Sequence, residues 1–262
     1  MGDRDGNRGP RGEPISAPTP AEIVGGKHTV PPGYEGVDGA GPPAKRAYIN
    51  PYVERLADYP ELILDGPAAE PLRGRWRERW ADQPGVDRPF LGMEIGSGNG
   101  FFLRDVCLRH PERRYVGLEI RYKRVWLAAN KLAEAGCTNG AVVLFHAGYL
   151  ARLFAPGELD AIHVNHPDPW PKKRHARNRM IAPAFVTAVA ELLAPGGVLE
   201  VKSDRAEYAD ELRRCAADQP LAIEAFTPDL HRPGEPLAAD NILTNYERKF
   251  IARGEPVFFM RL

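Results

Sequence analysis

Between residues 90 and 217 the chain alternates short apolar runs with stretches of helical period, and this alternation restricts the fold more than any other feature. Apolar runs at 90–95, 114–120, 141–145, 161–165 and 198–203 are each followed by a segment of helical character, at 101–110, 122–135, 150–154, 181–193 and 206–217. Two further strands are expected at 222–226 and 257–262, without a clear helix between them. Alternation of this kind requires crossover connections, and crossovers give a parallel sheet with helices on both faces. The expectation is an α/β fold: a doubly wound, mostly parallel, seven-stranded sheet. The closing pair of strands allows an antiparallel edge strand.

Residues 1–44 are rich in Gly and Pro and poor in large apolar side chains, so they are expected to form a disordered tail ahead of one domain at 45–262. The whole chain carries 35 basic and 35 acidic residues, so any anion binding must come from local clusters. Cys107, Cys137 and Cys215 are scattered and show no metal-ligand spacing, which points to a reducing compartment and to no metal. There is no secretory apolar segment and no apolar run near the roughly 20 residues of a membrane span, so a soluble, cytoplasmic protein is expected.

The first expected strand carries Glu94 and runs into Gly96-Ser97-Gly98-Asn99-Gly100, a loop with glycine at alternate positions. Such a loop turns tightly and lets the backbone approach a ligand. The second strand ends in Glu119, near the offset of a ribose-binding acid, where one carboxylate can accept both ribose hydroxyls. The loop lacks the Lys-Ser/Thr of a triphosphate site, so the pair favours a nucleoside cofactor. An acid ending the next strand is also common by chance.

After the fourth strand comes Pro167-Asp168-Pro169-Trp170-Pro171, followed by Lys172, Lys173, Arg174, His175, Arg177 and Arg179. The prolines stiffen the turn, which presents one carboxylate and one large aromatic face ahead of a phosphate-binding run. That combination suits a nucleobase within a polyanion. The plainer reading is a rigid surface turn with a solvated charge run. Trp76 and Trp80, four apart, read as one face of a helix packed at the domain edge. The segment 241–250 precedes the last strand; it can fold back over the site or serve as a helical connector.

The glycine loop, the acid after strand two and the Pro-Asp-Pro turn resemble the class I S-adenosylmethionine-dependent methyltransferases. The run from Pro167 to His175, with Gly74-Arg75-Trp76, Thr244-Asn245-Tyr246-Glu247 and Lys249-Phe250, resembles the bacterial tRNA (guanine-N7-)-methyltransferase family over residues 50–262. That resemblance implies S-adenosyl-L-methionine as cofactor, tRNA as partner, N7 of a variable-loop guanine as target, and a monomer or homodimer. Glu94, Gly96, Gly98, Gly100 and Glu119 match cofactor positions, and Asp168 matches both the cofactor site and the catalytic acid. Lys172, Asp204, Thr244, Asn245, Tyr246 and Glu247 match substrate positions.

Two residues depart from the family pattern. His146 stands where an acid is usual: either a neutral ring nitrogen there accepts the adenine amino group, or cofactor binding is weaker. His166 replaces the aromatic residue before the Pro-Asp-Pro turn. Glu247 or Asp204 is expected to read the guanine N1–H and 2-amino group, with Lys172, Lys173, Arg174 and Arg177 on phosphates. Competing readings are a methyltransferase for another RNA purine or a small molecule, an inactive RNA-binding protein of the same fold, and a nicotinamide-dependent oxidoreductase.

Overall fold

The computed structural model describes residues 50–80, 88–168 and 180–262. The expected tail at 1–44 lies outside the described residues, and so do Trp170, Lys172, Lys173, Arg174, His175, Arg177 and Arg179. Glu54–Leu262 forms one unit.

Among the described residues, eight strands make one sheet: β1 Ile63–Asp65, β2 Leu91–Ile95, β3 Arg114–Glu119, β4 Gly140–Leu144, β5 Leu159–Asn165, β6 Leu193–Ser203, β7 Ala225–Thr227 and β8 Phe258–Arg261. The spatial order is β1-β4-β3-β2-β5-β6-β8-β7. All pairs from β1 through β6 are parallel; β8 runs antiparallel to both β6 and β7. The longer helices are α1 Phe101–Arg109, α2 Tyr122–Glu134, α3 Pro183–Leu192, α4 Ala206–Ala216 and α5 Asn245–Arg253.

The doubly wound, mostly parallel sheet is as the alternation implies, with three local differences. The additional strand β1 is three residues long, too short to show a period, and is held by pairing Ile63 with Val142 and Leu64 with Val143. The strand expected at 198–203 begins at Leu193, so Pro195-Gly196-Gly197 lies inside β6 instead of merely stopping a helix. Its register with β5 shifts between Leu159 and Ala161, which absorbs the extra residues. The strand expected at 222–226 is Ala225–Thr227. The two tryptophans lie on a 3-10 turn, Trp76–Trp80, not an α-helix. Trp76 is fully buried, stacks on Phe154 at 5.3 Å and donates its indole N–H to the Leu153 carbonyl at 2.7 Å.

Alternate strand residues face opposite sides of a sheet. One side is apolar throughout, carrying Met93, Ile95, Val116, Leu118, Ile162, Val164, Leu199, Val201 and Met260. The other side is apolar only toward β1, β3 and β4, where Tyr115 and Val142 meet α1 and α2 through Phe102, Leu103, Val125 and Ala129. Across β2, β5, β6 and β8 that same side carries a polar row in register: Glu94 opposite His163, His163 opposite Glu200, Glu200 opposite Arg261. His163 Nδ1 lies 3.0 Å from Glu200, and Arg261 donates to Glu200 at 2.6 Å. Burial would raise the Glu200 pKa, but the hydrogen bonds and charges of His163 and Arg261 outweigh it and hold the carboxyl at about 2. One residue row further on, Asn165 is opposite Lys202. The candidate site lies at the carboxyl end of this polar half-face.

Candidate active site

The chain winds outward from β2 through β3 to β4, then returns to β5 on the opposite flank of β2. Connections leaving β2 and β5 therefore diverge, and a crevice opens beyond their carboxyl ends. Glu94, the penultimate residue of β2, is 3% exposed. Its Oε1 accepts from Asn165 Nδ2 at 3.0 Å and Oε2 is buried without a hydrogen bond of ordinary geometry, while the Leu103 amide at the start of α1 also acts on the carboxyl. Burial pushes its pKa up to about 7, against the Asn165 hydrogen bond and the Lys202 charge. A carboxylate with an unfilled valence at a crevice is suited to a ligand donor.

Gly96 and Gly98 adopt positive φ of 74° and 55°. A Cβ at Gly96 would meet nothing within 4 Å, and one at Gly98 only the Gly96 carbonyl at 3.8 Å. Both glycines thus border open space. Gly100, also at positive φ, serves a different purpose: a Cβ there would lie 2.5 Å from the Ala128 Cα, so its absence lets the start of α1 close on α2. The hydroxyl of Ser97 is buried without a partner beside the same loop.

Glu119 ends β3 at 5% exposure. Its Oε2 accepts from the Gly98 amide at 3.1 Å, and Oε1 accepts from the amides of Ile120 and Arg121 at 2.9 and 3.0 Å. The carboxylate ties the glycine loop to the approach to α2. Ile120, which follows it, is 53% exposed and offers an apolar face at the crevice. The sequence reading did not single out Ile120, because an isoleucine ending an apolar run looks like core.

His146 follows β4, whose last residue Leu144 pairs with Glu119. Its Nδ1 accepts from the Gly148 amide at 3.0 Å. Partial withdrawal from water lowers its pKa, so the ring is neutral and its proton sits on Nε2. With Nδ1 occupied in this way, the outward ring nitrogen is a donor.

Beyond β5, His166 takes φ of 50°, the one positive φ at a non-glycine residue among those described. Its amide donates to the Lys202 carbonyl at 2.8 Å, which holds the chain against β6 while it turns. The ring packs against Tyr246 at 5.7 Å and Phe250 at 5.3 Å, filling the wall as another aromatic would. Burial lowers its pKa to about 4, and both ring nitrogens lack hydrogen-bond partners. Asp204 Oδ1 is 3.9 Å from Nδ1, beyond hydrogen-bond reach. Asp168 is exposed at the turn, and its carbonyl accepts from the Tyr208 hydroxyl of α4 at 2.6 Å. Tyr208 is a second residue absent from the sequence reading, since a tyrosine on an amphipathic helix carries no positional signal.

The first turn of α5 brings Thr244, Asn245, Tyr246 and Glu247 to this wall through the Tyr246–Phe250–His166 cluster. Tyr246 is 49% exposed. Glu247 is fully buried. Its Oε2 accepts from Lys202 Nζ at 3.0 Å and the Thr244 amide at 2.7 Å, and its Oε1 accepts from Asn241 Nδ2 at 2.9 Å. Both oxygens are committed to the chain's own donors. The structure thus brings Glu94, Gly96, Gly98, Glu119, His146, Asp168 and Asp204 to one sheet edge, with Tyr246 above and Glu247 behind the wall. Lys172 lies outside the described residues. Among the described residues no cluster of His, Cys, Asp and Glu suits a metal ion, and no helix is long and apolar enough to cross a membrane.

A family model described as a putative methyltransferase matches residues 88–260. The tRNA (guanine-N(7)-)-methyltransferase of Geobacillus kaustophilus is 33% identical over 205 residues, covering 78% of this chain and 90% of that protein. The protein of the same name from Lactiplantibacillus plantarum is 34% identical over 215 residues, covering 81% of this chain and 95% of its own length. Among solved structures, the 16S rRNA methyltransferase KamB shares the fold with a TM-score of 0.50 at 16% identity, over 68% of this chain and 94% of that one.

Proposed function

The chain belongs to the tRNA (guanine-N7-)-methyltransferase family, and on that premise we propose that it methylates N7 of a variable-loop guanine in tRNA. S-adenosylmethionine is the cofactor, and it supplies an electrophilic methyl group on a sulfonium sulfur. The crevice suits that group: Glu94 keeps a buried oxygen without a hydrogen bond of ordinary geometry, and Gly96 and Gly98 leave space where side chains would intrude.

In this reading Glu94, steadied by Asn165, binds the ammonium of the cofactor's methionine end. Glu119 holds the ribose, in exchange for part of its present backbone hydrogen bonding. Ile120 lies against the purine, and His146 donates from Nε2 to a purine ring nitrogen. Guanine N7 carries a lone pair and no proton, so no general base is needed before attack. The protein's task is alignment and electrostatic support. Asp168 orients the base and stabilises positive charge developing on its ring. Asp204 is exposed at the end of β6 and can accept from the guanine N1–H and 2-amino group, donors that adenine does not present in that arrangement. Glu247 does not compete for that role, because its oxygens are already filled. Lys172 and the basic run after it hold phosphates.

The observation that carries this reading is the convergence of Glu94, with its open valence, and the Asp168 turn on the β2/β5 switch point. Asp168→Ala tests it in single-turnover methyl transfer to unmodified tRNA. The expected outcome is a rate loss of about 100-fold or more. Wild-type turnover in this variant would remove Asp168 from the chemistry.

A further inference from the structure

Lys202 sits on β6 at 4% exposure, and each of its three ammonium donors has a partner. They reach Asn241 Oδ1 at 2.9 Å, the Ile242 carbonyl at 2.8 Å and Glu247 Oε2 at 3.0 Å. Glu247 is the third residue of α5 and closes a capping box with Thr244, whose hydroxyl accepts from the Glu247 amide at 3.0 Å. Its other oxygen binds Asn241, with His231 Nε2 at 3.2 Å. A capping box alone needs only its own threonine and glutamate. Here the same carboxylate is also paired with a lysine from the sheet, and both charges are withdrawn from water. Such a pair contributes little net stability compared with apolar side chains of the same size, but removing one member leaves the other buried and uncompensated. What the pair does supply is a fixed position. Its partners on the 241–247 segment all precede or begin the helix that presents Tyr246 over His166. Ser203, directly after Lys202, leads to Asp204.

We propose that Lys202 is a positioning residue for the RNA substrate. Through Glu247, Asn241 and Ile242 it locks the start of α5 to β6, so that Asn245 and Tyr246 meet the target in one geometry with Asp204 and the Asp168 turn. This rests on the methyltransferase reading above, in which that wall faces tRNA. Glu247, matched by family resemblance to a substrate position, then acts from behind the wall.

Glu247→Gln tests the lock from the helix side and leaves the Lys202 ammonium, which also acts electrostatically on Glu94, in place. It is expected to weaken tRNA binding, read by fluorescence anisotropy, by about tenfold, with S-adenosylhomocysteine affinity by calorimetry within about threefold. The paired apolar variant K202M/E247M separates position from stability: its melting temperature returns toward wild type while its tRNA affinity stays weak. Recovery of tRNA affinity along with stability would overturn the proposal, as would unchanged tRNA affinity in Glu247→Gln. Amide exchange on the unmodified protein decides the matter even where a variant does not fold. The amides of Thr244, Glu247 and Arg248 should exchange as slowly as those of β6 before tRNA is added. Exchange at the rate of a surface loop would refute the lock. If wild-type protein transfers no methyl group to tRNA, the functional reading fails, while the exchange measurement still judges the lock.

Discussion

Glu94 shows how one buried side chain makes folding depend on pH. Its carboxyl ordinarily titrates near 4.5 and is pushed up to about 7 by burial. A carboxyl raised in the fold favours folding while protonated, below its ordinary value, and that contribution is lost as pH rises through the folded value. Without cofactor, the protein is expected to lose stability on the order of 3 kcal/mol from this group between pH 4.5 and about 7. Glu94→Gln keeps the shape and removes the titration. The variant should therefore be more stable than wild type above about pH 7 and bind S-adenosylhomocysteine more weakly. Denaturant titrations at several pH values check this, and parallel pH profiles for the two proteins would contradict it. The place of Glu94 and Glu119 at strand ends beside a glycine loop was legible in the sequence, because each lies at the end of an apolar run. The polarity of His146 was not legible, since it depends on a hydrogen bond from Gly148 that only the folded turn supplies. The burial of Glu247 was hidden for the same reason: its partner Lys202 is 45 residues away.

At the scale of elements, alternating apolar and helical segments revealed the parallel core and its crevice, because that signal is repeated along the chain. Signals that occur once were weaker. β1 is too short for a period, and the Pro195-Gly196-Gly197 run resembles a helix stop although β6 passes through it. β5 read as a plain apolar run, yet His163 and Asn165 face the polar half of the sheet while Ile162 and Val164 face the core. The glycine loop also divides by element. Gly96→Ala should cost about 1–2 kcal/mol in backbone strain and weaken cofactor binding further by filling the crevice. Gly100→Ala should leave the crevice open but cost about 2–4 kcal/mol, because its Cβ would strike the backbone of α2 at Ala128. Thermal melts paired with S-adenosylhomocysteine calorimetry separate the two. A Gly100→Ala protein as stable as wild type would show that the contact between α1 and α2 can yield.

Across the whole molecule, the polar half-face running from Glu94 to Arg261 links the cofactor crevice to the wall carried by α5. On one side of it stand the glycine loop, Glu119 and His146; on the other, Asp168, Asp204 and Tyr246. On the proposed reading, cofactor and target base meet at the switch point, and Lys202 fixes the distance between the two sides. The most direct test is transfer of a labelled methyl group from S-adenosylmethionine to unmodified tRNA, followed by chemical mapping of the product. The account predicts label at N7 of a guanosine in the variable loop, with adenosines unlabelled. Label on another base, or none on tRNA under conditions where the protein binds both cofactor and tRNA, would contradict it.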